Sequence, residues 1–88
     1  MKREEREVLA AALDRYGFPA QRLMFAEEVG EALSALSKVQ RNRCDICAVV
    51  EELADVVIMA EQMALYFGWT EYEIQRCKKI ARLRERLK

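Results

Sequence analysis

The sequence predicts an all-α bundle, and three observations predict it. Apolar residues recur at spacings of three and four along nearly the whole chain, the period of helices buried on one side. Alternating stretches are short and poor in β-branched residues, so no segment reads as a strand. Gly17, Pro19 and Gly68 fall between the periodic segments, where helix ends and starts need them.

Four helices follow in order. The first runs from Lys2 to Tyr16 with Val8, Leu9, Ala12 and Leu13 as its apolar stripe, and Gly17 supplies its C-cap. Pro19 suits the first turn of the second, which continues to Val39 or Gln40 with Phe25, Val29, Ala32 and Leu36 on one side. Arg41-Asn42-Arg43 forms the break. The third begins near Asp45, a suitable N-cap, and ends at Phe67, where Gly68 stops it. Val49, Val50, Leu53, Val56, Val57, Ile58, Met59 and Met63 cover most of its circumference, the pattern of a helix central to a bundle or to a subunit interface. The fourth starts at Thr70, where Thr70-x-x-Glu73 has capping-box spacing, and offers Ile74, Ile80, Leu83 and Leu87 as apolar contacts.

At 88 residues the chain is expected to be a single domain, and with 52% apolar and 34% charged residues it has the composition of a folded protein. A chain this short buries only about 60% of its unfolded surface, so assembly into a homodimer or homotetramer is the expected reinforcement. Fifteen basic residues balance fifteen acidic ones, which argues against a nucleic-acid backbone binder. The charge is uneven, however. Lys2, Arg3 and Arg6 stand at the front, and Lys78, Lys79, Arg82, Arg84, Arg86 and Lys88 at the back. Acids gather in the middle at Glu27, Glu28, Glu31, Glu51, Glu52 and Asp55. The charged N-terminus does not resemble a signal peptide, and no segment approaches the roughly 18 apolar residues of a membrane span, so a soluble, cytoplasmic protein is expected. Three cysteines without a secretory signal are expected as thiols. The absence of His excludes Ser-His and Cys-His nucleophile pairs, two-His zinc sites and the Glu-x-x-His di-iron motif.

The central acids form two similar motifs. Glu27-Glu28-Val29-Gly30-Glu31 and Glu51-Glu52-Leu53-Ala54-Asp55 each hold a carboxylate pair at i, i+3, which projects from one face of a helix. On a wheel at about 100° per residue, Glu28 falls between Ala35 and Val39 inside the apolar arc. Glu31 lies at the edge of that arc, and Glu27 on the polar side. Glu52 falls between Met59 and Met63, Asp55 at the margin of the polar strip, and Glu61 among Val50, Val57 and Ala54. Carboxylates on apolar faces need cations, protons or hydrogen bonds. Four oxygen donors from two helices suit Mg²⁺ or Mn²⁺ far better than zinc. The alternative is a solvated acidic face paired with the basic fourth helix.

At these residues the sequence resembles the MazG-like all-α nucleoside triphosphate pyrophosphohydrolases, with Glu-x-x-Glu on one helix and Glu-x-x-Asp on the next. Tyr16-Gly17, Gln21 and Met24 before the first motif, Val56, Ile58-Met59 and Glu61-Gln62 after the second, and the closing Lys79, Arg82, Leu83, Glu85, Arg86 and Leu87 extend the likeness to short, phage-type members. The resemblance implies a four-helix, MazG-type bundle with the motif helices antiparallel. It also implies hydrolysis between the α- and β-phosphates of a (deoxy)nucleoside triphosphate. Carried over, Glu28, Glu31, Glu52 and Asp55 would hold Mg²⁺ and serve in catalysis, with Glu27 or Glu51 orienting water. Triphosphate needs cationic partners, for which Lys38, Lys78, Lys79 and Arg82 are candidates. Gln21 is a candidate reader of a base edge, and Phe25 or Trp69 could stack on the base. Ala81 is a departure, since short members commonly carry Asn there.

Two further readings stand beside this one. A non-catalytic helical interaction module would use the charges to set subunit pairing, and an inactive relative would bind nucleotide without hydrolysis. Cys44-x-x-Cys47 at a helix start invites a redox or metal role, but it lacks a preceding strand and any His. Cys47 is expected to be a small buried residue and Cys44 a loop thiol.

Overall fold

The computed structural model of the chain describes residues 1–40 and 46–88. Four helices make up the described chain, with no strand among the described residues: α1 Arg3–Tyr16, α2 Phe18–Gln40, α3 Ile46–Phe67 and α4 Trp69–Arg86. The expected break at Arg41-Asn42-Arg43, the N-cap at Asp45 and the loop thiol Cys44 lie outside the described residues.

Two of the joints are single glycines. The Gly17 N–H donates to Leu13 O at 2.9 Å, closing α1, while its carbonyl accepts from Gln21 N at 3.1 Å, opening α2. Gly68 repeats the device between α3 and α4, donating to Ala64 O at 2.9 Å and accepting from Tyr72 N at 3.0 Å. One residue can end one helix and start the next only by turning the chain sharply, and both glycines do so at positive φ, +83° and +142°. Pro19 sits in the first turn of α2, where its missing N–H costs nothing.

The capping box expected at Thr70 does not form. Helix α4 begins one residue earlier, and Gly68 occupies the N-cap without a side-chain bond. Glu73 instead accepts a hydrogen bond from the Trp69 indole Nε1 at 2.8 Å, an i, i+4 pairing that takes up the carboxylate the box would have used.

Helices α2 and α3 pack most extensively, α1 lies against both, and among the described helices α4 touches α3 alone. Ala32 and Ala35 of α2 and Met59 of α3 are buried, and the small alanines let the two backbones approach. Deeper along the same seam, the buried Gln21 Nε2 donates to the buried Gln62 Oε1 at 2.7 Å, and Gln62 Nε2 reaches Met59 Sδ at 3.7 Å. Where α2 starts and α3 ends, Phe18 stacks on Tyr66 with ring centroids 3.9 Å apart, and Phe67 meets both rings edge-on.

The apolar surface of α3 and α4 is larger than this packing covers. Val50, Leu53, Val57 and Ile58 of α3 are exposed, and so are Ile74, Ile80, Leu83 and Leu87 of α4, which were expected to make contacts. Only the start of α4 lies near the rest of the chain, because the glycine joint directs the helix away from the α2–α3 pair. The radius of gyration is 15.3 Å, against about 12 Å for a compact chain of this length. No helix among the described residues is long and apolar enough to cross a membrane.

Candidate functional site

The two acidic motifs meet across the α2–α3 seam. Glu28, Glu31 and Glu52 each bring a carboxylate oxygen within 4.8 Å of the others. Helical periodicity accounts for the α2 pair, since Glu28 and Glu31 are one turn apart, with Ala32 and Ala35 continuing the same inward face. Glu52 comes from the facing side of α3, where Met59 is buried two turns further on. Glu28 and Glu52 are half-buried and Glu31 is exposed. Asp55, one turn beyond Glu52, lies outside this close group of three but near enough for its charge to act on Glu28 and Glu52. Glu27 and Glu51 are exposed.

The electrostatics of the group are strained. Burial pushes the Glu28 carboxyl above the usual carboxylate range, and the charges of Glu31, Asp55 and Glu52 push it further. Glu52 is raised in the same direction, first by burial and then by Glu31 and Asp55. Oε2 of Glu28 and Oε2 of Glu52 are buried without a hydrogen-bond partner. A buried carboxylate oxygen with no donor is costly, and a cation between these oxygens would remove the cost. The basic α4 helix does not do so. The ion pairs among the described residues are Arg3–Glu7 at 3.2 Å and Glu85–Lys88 at 2.9 Å, each exposed and within one helix.

Beside the carboxylates lies a cleft of about 250 Å³ lined by Glu31, Ser34, Ala35, Lys38, Ala48 and Glu52. Lys38 therefore shares a cleft with two of the acids, as its place on the Glu31 side of the helix predicts. Ser34 lines the same cleft, a place the acidic motifs alone do not indicate. Its signal was present, for Ser34 is three residues after Glu31 and four before Lys38, on the same helix face.

Other candidates lie elsewhere. Gln21 is two turns before Glu28, roughly 10 Å along the axis, with its amide engaged by Gln62. Lys79 and Arg82 are exposed on α4, where Lys79 lines a groove with Tyr72, Gln75, Arg76, Ile80 and Leu83, away from the carboxylate cleft. Phe25 is half-buried beside Ala60, Met63 and Ala64, and Trp69 lies 5.0 Å from Tyr72, ring to ring. Cys47 is exposed rather than buried, because its neighbour Ala48 is the residue turned to the α2 side. No protein-family model, curated protein or solved structure matches the chain.

The donor set fits a hard divalent cation. All the converging atoms are carboxylate oxygens, Glu28 and Glu52 each carry a buried oxygen without a donor, and no sulfur joins the group among the described residues.

Proposed function

We propose that the chain is a Mg²⁺-dependent nucleoside triphosphate pyrophosphohydrolase, converting a (deoxy)nucleoside triphosphate to the monophosphate and pyrophosphate, in the manner of the MazG-like family that it resembles. The observation that carries the reading is the convergence of the Glu28, Glu31 and Glu52 carboxyls, two of which carry an orphaned oxygen, next to a cleft that holds Lys38 and Ser34. In this reading Glu28, Glu31 and Glu52 hold Mg²⁺ or Mn²⁺, with Asp55 completing the set. Such an ion supplies charge neutralisation for phosphate oxygens and lowers the pKa of water. The Lys38 ammonium binds a phosphate oxygen at the open side of the cleft, and the Ser34 hydroxyl donates to another. A carboxylate of the group accepts the proton of the attacking water as it approaches the α-phosphorus in line with the leaving pyrophosphate, since the chain has no His to do so.

The order of contacts supports antiparallel motif helices: Gln21 meets Gln62, Glu28 and Glu31 meet Glu52, and Lys38 shares its cleft with Ala48. Assembly as a homodimer or homotetramer belongs to the same reading. The chain exposes 7082 Å², about 1,700 Å² more than a compact monomer of this mass, and obligate dimers bury this order of area on each subunit. The free thiols of Cys47 and Cys77 accord with a reducing, cytoplasmic setting.

The test is pyrophosphate release from a panel of ribo- and deoxyribonucleoside triphosphates, with Mg²⁺ or EDTA, for the wild type and Glu52→Gln. Metal-dependent release that disappears in the variant is the expected result. A silent panel from folded protein rejects hydrolysis and favours an interaction module or a nucleotide binder.

A further inference from the structure

Helix α4 and a groove between α1 and α3 are both partly apolar and are complementary in charge, and neither is covered by another helix among the described residues. Past its first turns α4 has no neighbour among the described residues: every residue of the helix from Thr70 onward is exposed, and α3 is the one described helix it touches. Tyr72, Ile80, Leu83 and Leu87 form one apolar stripe at spacings close to the helical period, and Leu83 is 54% exposed. From Lys78 to Lys88 there are six basic residues against one acid, Glu85, and Lys79, Arg84 and Arg86 flank the stripe.

The groove has the opposite character. Val8, Leu9 and Ile58 give it an apolar lining, Glu4, Glu5 and Glu61 an acidic one, and its volume is about 470 Å³. Val8 is 67% exposed. The nearby Arg3 is paired with Glu7, and neither Lys2 nor Arg6 lines the groove. Three acids beside an apolar lining would receive a basic amphipathic helix and repel an acidic one.

We propose that α4 of a second copy of this chain docks in the α1–α3 groove, with Ile80, Leu83 and Leu87 on Val8, Leu9 and Ile58, and with the basic flanks against Glu4, Glu5 and Glu61. Two such contacts related by a two-fold axis close a dimer, so each chain gives its α4 and receives the other's. Self-pairing of the Ile80, Leu83 and Leu87 stripes is disfavoured because it would set two basic Lys78–Lys88 segments side by side. The exposed area in excess of a compact monomer, about 1,700 Å², is of the order that stable dimers bury on each subunit. The proposal rests on the assembly put forward under the proposed function, which the exposed area supports whether or not the chain hydrolyses nucleotides.

The experiment is light scattering after size exclusion at micromolar chain concentration, joined to carbodiimide coupling of carboxylates to lysines in a mixture of ¹⁴N- and ¹⁵N-labelled protein. The expected mass is a multiple of the 10.3 kDa chain, with mixed-isotope crosslinks joining Lys79 or Lys88 to Glu4, Glu5 or Glu61. Glu4→Lys with Glu5→Lys should weaken association at least tenfold, and adding Arg84→Glu with Arg86→Glu should restore it. Should the reversed-charge variant fail to fold, the wild-type crosslinks decide alone. A monomeric wild type overturns both the assembly and the groove. A stable oligomer whose crosslinks join other surfaces, or which the charge reversals leave unchanged, overturns the groove alone.

Discussion

Replacing Gln62 with Met severs a buried bond between α2 and α3 while nearly preserving side-chain length. In the wild type Gln21 Nε2 donates to Gln62 Oε1 at 2.7 Å, with Gln21 8% and Gln62 4% exposed, so water cannot substitute for the lost acceptor. The cost is that of an unsatisfied buried amide, about 1–3 kcal/mol. For a domain of this size each 1 kcal/mol lowers Tm by roughly 4–8 °C. Gln21→Met should cost a comparable amount, because it orphans Gln62 Oε1. The double variant should lie within about 1 kcal/mol of wild type, since two apolar side chains then replace a polar pair. The coupling between the sites, the two single losses less the loss in the double variant, is therefore about 1–6 kcal/mol and favourable. Thermal and urea unfolding followed by circular dichroism, at one fixed chain concentration, measures it. Additive single losses in the double variant would refute the reasoning, because each glutamine would then act alone. The same proteins test whether Gln21 reads a base: if its amide serves the core, the double variant keeps the wild-type ranking of nucleotides.

Glu52→Gln should abolish Mg²⁺-dependent turnover yet raise Tm in EDTA at pH 8. Its carboxyl is held above the ordinary Glu value of 4.5 by burial and by Glu31 and Asp55. The folded state therefore binds the proton more tightly than the unfolded one, and this contribution to stability, full below pH 4.5, is lost as pH rises through the raised value. By the same sign, the gain in Tm from Mg²⁺ should grow from pH 5 to pH 8; at ten times its Kd the ion stabilises by about 1.4 kcal/mol. A pH-independent Mg²⁺ effect in thermal melts would contradict this. Lys38→Met should raise KM for triphosphate roughly tenfold or more, the worth of a charged hydrogen bond, and leave the Mg²⁺ shift in Tm in place. Gly17→Ala should cost about 1–3 kcal/mol in urea unfolding. The nearest atom to the added Cβ is Pro19 Cδ at 3.8 Å, so backbone conformation at φ +83° and not crowding sets that cost.

Residue order settles what is local. Helix periods, the joints at Gly17 and Gly68, and the projection of Glu28 with Glu31 from one face depend on residues within a turn or two, and the structure bears these out. A wheel gives direction around an axis and not the neighbour found there. Tertiary packing alone decided that Glu52 joins Glu28 and Glu31 while Asp55 stands further off, and that Ser34 and Lys38 line the same cleft. It also decided that the Gln21 amide is used by Gln62, since their pairing spans 41 residues and has no period to announce it. The stripe of Ile80, Leu83 and Leu87 was legible, but its lack of a partner was not: an apolar face shows that something must cover it, and only the path of the chain after Gly68 shows that its own core does not.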